Sequence, residues 1–182
     1  MERLYTDLAN WWPLLSPPDT YVEEGPLYFG WLAHLLGRAP QTLMELGSGG
    51  GHLASHYPAE CTVTLVDLSE EMLSVSRSLN PEREHLCGDM RTMRLGRTFE
   101  AVLIHDAIMY MTCRKDVVAA LKTAAAHLAP GGPLVVLPDV IEESFMERTL
   151  VGGQSDGERA IQVMEWHWDA DPQDESFTVE FS

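Results

Sequence analysis

Several polar side chains stand where an apolar chain does not place them casually. Glu45 interrupts the run Leu43-Met44-Glu45-Leu46, and acids are rarely buried without a partner. The run breaks into Gly47-Ser48-Gly49-Gly50-Gly51, where glycines permit a sharp turn and let a ligand reach the backbone without meeting a Cβ. Asp67 ends a second apolar run, sixteen residues beyond Gly51. A carboxylate at the carboxyl end of a parallel strand can accept from two vicinal ribose hydroxyls at once. His105, Asp106 and Tyr110 follow a third apolar run, and His167 lies between two tryptophans. These are groups that orient an acceptor or take its proton. Each has a plain alternative: Glu45 satisfied by amides of the glycine loop, Asp67 as a turn or capping acid, His105 as a satisfied structural histidine.

These groups need a frame. Strands are expected at 41–46, 62–67, 84–87, 101–105 and 134–137, nearly all apolar, as in a parallel sheet covered on both faces. A helix is expected to start at His52-Leu53-Ala54 and point its N-terminus, with its free N–H groups, at the ligand. Ser69 reads as the N-cap of a helix to about Leu79, with Glu70 and Glu71 favouring its dipole. Val117, Leu121, Ala124 and Leu128 mark another helix, ended by Pro130-Gly131-Gly132. Ahead of the sheet, Leu27, Trp31 and Leu35, widened by Leu32 and Leu36, repeat at helical spacing. The stretch from Trp11 to Pro18 is too rich in proline for regular structure. At least one of Tyr5, Trp12, Tyr21 and Tyr28 is expected to line the site. At the other end, 161–168 and 177–181 read as an antiparallel strand pair, with Met164, Trp166 and Trp168 on one face.

In this order and spacing, the glycine loop, Asp67, Cys87-Gly88-Asp89-Met90, the strand ending in His105-Asp106 and Pro130-Gly131-Gly132-Pro133 resemble the class I S-adenosylmethionine-dependent methyltransferases. The resemblance covers roughly residues 40 to 140. More loosely, Leu4-Tyr-x-x-Leu-Ala and Trp11-Trp-Pro-Leu-Leu-Ser-Pro-Pro look like the lead-in of small bacterial members. It implies an α/β, Rossmann-like, mostly parallel sheet of order 3-2-1-4-5 with helices on both faces. The divisions expected are a helical extension or lid over 1–39, a cofactor-binding core over 40–140, and a loop plus ribbon over 141–182 within a single domain. The implied cofactor is S-adenosylmethionine, held by Glu45, Gly47, Ser48, Gly49, Gly51, Asp67, Leu68, Met72, Gly88, Asp89, Met90 and His105. In the family, the acid at Glu45 serves the cofactor's cationic amino group, and the acid at Asp89 accepts from the adenine amine.

The function implied is methyl transfer to a small-molecule acceptor by in-line displacement, which needs mainly alignment and exclusion of water. Candidates for a base or an acceptor-orienting group are His105, Asp106, Tyr110 and His167. A second reading is a non-catalytic module that binds the cofactor or a partner. A third is a nicotinamide-dependent oxidoreductase, since Gly49-x-Gly51-x-x-Ala54 satisfies the looser dinucleotide fingerprint. Asp106 and Asp139 could share a cation, but Val140 stands where catechol-type enzymes carry another ligand, so no metal is expected.

A net charge of −16, from 12 basic and 28 acidic side chains, repels phosphate backbones and anionic lipid. Nucleic acid and membrane surfaces are therefore not expected as partners; Arg91, Arg94 and Arg97 read as a solvated loop rather than a basic patch. Cys61, Cys87 and Cys113 are odd in number and widely spaced, which suits neither zinc nor a disulfide framework. The chain reads as cytoplasmic. The pattern breaks off before the two last strands of a complete family member, so either the chain is shortened or another chain finishes the sheet, as a homodimer would.

Overall fold

The computed structural model describes residues 3–171, 173–174 and 176–182; Pro172, in the expected link between the last two strands, lies outside the described residues. Five parallel strands form the central sheet: β1 (Thr42–Leu46), β2 (Thr62–Asp67), β3 (Glu84–Cys87), β4 (Ala101–His105) and β5 (Leu134–Leu137), in the order β3-β2-β1-β4-β5. The order is the expected one. Its basis is burial: β1, β2 and β4 occupy the middle of the sheet and are apolar on both faces, so only a doubly covered position hides them.

Alternation along the strands sorts the core into two layers. Leu43, Val63, Leu65, Ala101 and Leu103 face Phe29 and Leu32 of α2 (Glu24–Leu36), together with Leu53, Ala54 and Tyr57. Met44, Leu46, Val66, Val102 and Ile104 face Ala124 of α4 (Arg114–His127). Between β2 and β3 runs α3 (Glu70–Leu79), capped by Ser69 Oγ accepting from Met72 N. Ser76 of α3 hydrogen-bonds His85, which pairs in register with Leu65, so α3 lies on the α2 face.

Four local expectations are corrected. The helix after the glycine loop is a single 3₁₀ turn, Ala54–His56. Only six residues lie between Gly51 and Pro58, and the proline ends the run before a second turn can form. In α2 the buried stripe is Gly25, Phe29 and Leu32, whereas Leu27, Trp31 and Leu35 are exposed. Three apolar residues at the right spacing marked the wrong face because the helix is apolar almost all round. The proline-rich stretch does hold a short helix, α1 (Trp12–Leu15), because Pro13 lies in the first turn, where a missing N–H costs nothing.

The fourth correction is at the C-terminal end. The expected strand pair is a trio: β6 (Arg148–Ser155), β7 (Ala160–Trp168) and β8 (Thr178–Phe181), antiparallel in that order. β6 pairs with β7 through eight residues, but every one of its residues is exposed, so no alternation marks it. The trio packs on the N-terminal segment: Arg159 donates to Asn10 O and lies over the Trp11 ring at 5.4 Å.

Leu103 is fully buried in the central strand β4. Leu103→Ala should cost about 2–5 kcal/mol of stability, read from the urea midpoint at unchanged slope. A loss below about 1 kcal/mol would show that the sheet's α2 face is not tightly packed.

Candidate functional site

The carboxyl ends of β1, β2 and β4 gather most of the expected groups. The main chain of β2 holds the glycine loop: Val66 O accepts from Gly47 N at 2.7 Å and from Ser48 N at 3.0 Å. Asp67 Oδ2 accepts from Gly49 N at 2.8 Å, and its Oδ1 from Ser69 N at 2.9 Å. Gly47 has φ +78°, and a Cβ there would sit 2.1 Å from Ala107 Cβ. No other residue type fits. Asp67 thus braces the turn. Each of its oxygens still keeps lone pairs for further donors. Burial raises its pKa, and the N–H groups of Ser69, Gly49 and Leu68 pull it back down.

None of those loop amides reaches Glu45. Its side chain is 2% exposed and Oε2 has no hydrogen-bond partner among the described residues. Burial, with Asp67 and Asp106 adding to it, pushes the carboxyl up to about 8, while the Tyr57 hydroxyl beside it acts the other way. Loop amides thus do not explain this acid. Ser48 is also buried with an unpartnered Oγ. A buried carboxyl oxygen and a buried hydroxyl at one loop, both without a hydrogen-bond partner among the described residues, are what a cationic, hydrogen-bonding ligand would satisfy.

Around the loop, Met72 is buried 3.5 Å from where a Gly49 Cβ would be, and Leu68 is exposed at the lip. Asp89 is engaged by its neighbour: Arg91 donates to Oδ1 through Nε at 3.0 Å and to Oδ2 through Nη2 at 2.6 Å. Arg91 also pairs with Asp116, and these bonds hold Asp89 below the usual carboxylate range. Arg94 donates to Thr123 Oγ1, and Arg97 pairs with Glu84. The three arginines are spent inside the fold. Met90 packs against the α4-side core, and Gly88 lies against Met93.

Beside the loop, a cavity of about 370 Å³ opens between α2 and the ends of β4 and β5. Three acids line it, Glu24, Asp106 and Asp139, with the rings of Tyr21, Tyr28 and Trp31 and the imidazole of His105. His105 stands 5.2 Å from Tyr28 between ring centroids, and burial lowers its pKa, so the ring is neutral. Asp106 has φ +52° and lies 3.2 Å from His105 Nε2. Burial, then Asp139 and Glu24, push its carboxyl up to about 7.

Tyr110, in the turn after β4, bonds Tyr5 through the two hydroxyls, and Tyr5 lies 5.6 Å from Trp12. Trp12 covers Gly50. His167 is placed elsewhere: it is buried in β7, bonded to Glu165 and stacked on Phe177. Of the four catalytic candidates, the structure brings His105 and Asp106 into the cavity and leaves His167 in the C-terminal sheet. The sequence does not single out Glu24, whose place in the first turn of α2 makes it look like a dipole acid, nor Trp31, which reads only as part of a helical stripe with Leu27 and Leu35.

A family model described as a methyltransferase domain matches residues 44–136. The chain belongs to this methyltransferase family. It is similar to the dTDP-3-amino-3,4,6-trideoxy-alpha-D-glucopyranose N,N-dimethyltransferase of Streptomyces venezuelae, 35% identical over 114 residues, 60% of this chain and 48% of that protein. It is 34% identical over 117 residues to the dTDP-3-amino-3,6-dideoxy-alpha-D-glucopyranose N,N-dimethyltransferase of Streptomyces fradiae, 62% of this chain and 45% of that one. The chain spans about half the length of the curated relatives it matches. Among solved structures it resembles DesVI of Streptomyces venezuelae, with a TM-score of 0.76 at 24% identity over 89% of this chain and 75% of that one. It also resembles SAM-bound CalS10, an amino pentose methyltransferase from Micromonospora echinaspora, with a TM-score of 0.73 at 22% identity over 89% and 75%. At these identities the structural likeness shows the fold.

Glu45 supplies a pH test. Its folded value of about 8 lies above the ordinary 4.5, so between those values the folded state binds the proton that the unfolded chain has released. Stability falls as pH rises through this window, by up to about 1.4 kcal/mol per pH unit. Glu45→Gln should flatten that slope and be more stable than the parent near pH 8, read by urea unfolding across the window. Parallel slopes in the two proteins would mean the carboxyl is not buried in this way.

Proposed function

We propose that the chain binds S-adenosylmethionine at the glycine loop and transfers its methyl group to a small-molecule acceptor held in the adjoining cavity. The observation that carries this reading is the pair of acids flanking the loop, Glu45 with its Oε2 unpartnered among the described residues and Asp67 with unused lone pairs, in a chain of the methyltransferase family. When bound, the cofactor supplies a methyl group on a sulfonium, a good leaving group. Glu45 and Ser48 meet its polar amino-acid end, Asp67 meets the ribose hydroxyls, and Gly88-Asp89-Met90 borders the adenine. His105 and Asp106 face the acceptor side, and Tyr110 stays bonded to Tyr5 outside the cavity lining. The relatives that are N,N-dimethyltransferases favour nitrogen as the acceptor atom.

Water exclusion falls to the N-terminal segment, which serves as a lid over residues 40–140. His52 Nδ1 donates to Ser16 O at 2.6 Å, His56 Nε2 to Pro18 O at 2.8 Å, and Ser69 Oγ to Tyr5 O. Free thiols at Cys61, Cys87 and Cys113 suit a cytoplasmic setting. Among the described residues no helix is long and apolar enough to cross a membrane.

Calorimetric titration with S-adenosylhomocysteine, beside NAD, tests the reading. The homocysteine product should bind the parent, and Asp67→Asn should bind it at least about tenfold more weakly, as loss of charge-assisted bonds requires. Asparagine keeps one acceptor, for Gly49 N, and gives up the bond from Ser69 N, so the variant's fold is checked by its urea midpoint alongside the titration. Binding of NAD alone would overturn the reading in favour of an oxidoreductase.

A further inference from the structure

The cavity beside the loop has an electrostatic character of its own. Its three carboxylates converge from three elements: Glu24 from the start of α2, Asp106 from the end of β4 and Asp139 from beyond β5. Their mutual influence is visible in their neighbours. Tyr21 and Tyr28 are both raised by burial first, and both also feel Glu24, Asp106 and Asp139. Among the described residues no lysine or arginine lines the cavity, and none pairs with any of the three acids. The one imidazole, His105, is neutral through burial. On the same sheet face lies the unpartnered, buried oxygen of Glu45, which also feels Asp106. Uncompensated acids crowded at one edge are a cost that a bound cation relieves. Two ring faces, Tyr28 and Trp31, 5.2 Å apart between centroids, complete the lining, and such faces attract a cation.

From this juxtaposition we infer that the cavity takes its acceptor as a cationic amine carrying no phosphate handle, held by Glu24, Asp106 and Asp139 against the Tyr28 and Trp31 rings. The inference rests on the methyltransferase reading and parts from what the names of the relatives print. Those proteins act on dTDP-linked amino sugars. A nucleoside diphosphate brings negative charges, and it would meet three carboxylates here with no guanidinium or ammonium to receive it. Asp106 is the carboxylate nearest the end of β4, beside His105. It accepts one proton from the ammonium: the N–H bond breaks, its electron pair stays on nitrogen as the lone pair, and the carboxylate becomes a carboxylic acid. The amine is then a nucleophile.

The test is direct binding by calorimetry, with and without S-adenosylhomocysteine. The probes are benzylamine, cyclohexylamine and methyl 3-amino-3-deoxy-glucopyranoside, each beside its hydroxyl counterpart, and dTDP. At least one amine should bind at least about tenfold more tightly than its hydroxyl counterpart, and dTDP should not compete with it. Asp139→Asn and Glu24→Gln should each weaken the amine about tenfold while leaving the affinity for S-adenosylhomocysteine as it was. Equal binding of amine and alcohol throughout, displacement of the amine by dTDP, or indifference of both variants would overturn the inference. If the parent fails to bind S-adenosylhomocysteine, the methyltransferase reading falls by itself, and the amine titrations run without it still decide the character of the cavity.

Discussion

The grip of β2 on the glycine loop is the constraint from which the rest of the site follows. One carbonyl, Val66 O, takes two successive loop amides, and the next side chain, Asp67, takes a third. That is possible only while β1 and β2 stay in their parallel register, Leu46 opposite Val66. A slip of one residue would turn Asp67 to the other face and expose the core side of the strand. The same fixed loop leaves Gly47 no room for a side chain, because Ala107, just past β4, is packed against it. Contact with Ala107 in turn places Asp106 in its unusual backbone conformation at the mouth of the cavity. Three strand ends are thus tied into one rigid edge, and both the loop and the acid cavity inherit their geometry from it.

Rigid placement explains how so much like charge is tolerated. Glu45, Asp67 and Asp106 are each raised, in every case by burial before any neighbour is counted. A flexible edge would let the acids swing to water and ionise independently. Here the strands hold them where desolvation and mutual repulsion both favour the proton. The arginines that could have neutralised them are committed elsewhere: Arg91 to Asp89 and Asp116, Arg97 to Glu84, Arg38 to Glu100. Acidic groups without a basic partner are therefore concentrated at the carboxyl edge of β1, β2 and β4.

Much of this was legible because it rests on long-range pattern. The five strands, their order and the Ser69 cap follow from apolar runs, acid placements and one N-cap residue, and each reappears in the structure. What escaped was decided by local competition. A helix apolar almost all round, such as α2, carries little contrast to say which stripe faces inward, so Trp31 falls into one stripe with Leu27 and Leu35 although it borders the cavity. β6, exposed along its whole length, carries no alternation. His127 looked unremarkable, yet it is buried, with Nδ1 donating to Thr123 O at 2.8 Å and Nε2 accepting from Leu95 N at 2.9 Å. Glu24 could not be singled out because the cavity it faces exists only after α2 has packed across β4 and β5.

The same logic extends to the segments that enclose the site. The N-terminal residues have little core of their own: among the described ones before α2, only Ala9 and Leu14 are buried apolar. They are held instead by polar ties to the residues after the glycine loop and to Ser69, and by Trp12 lying on Gly50. From the outside, Arg159 in the turn between β6 and β7 grips Asn10 O and the Trp11 ring. These ties are exposed or half-buried hydrogen bonds, each worth roughly 1 kcal/mol net, joined by Tyr21 packing on the α2-side core and by the Tyr5–Trp12 ring contact. A segment held mainly by polar bonds against a strand edge is cheaper to displace than the edge beneath it, because the edge would give up buried apolar contacts and the segment gives up few.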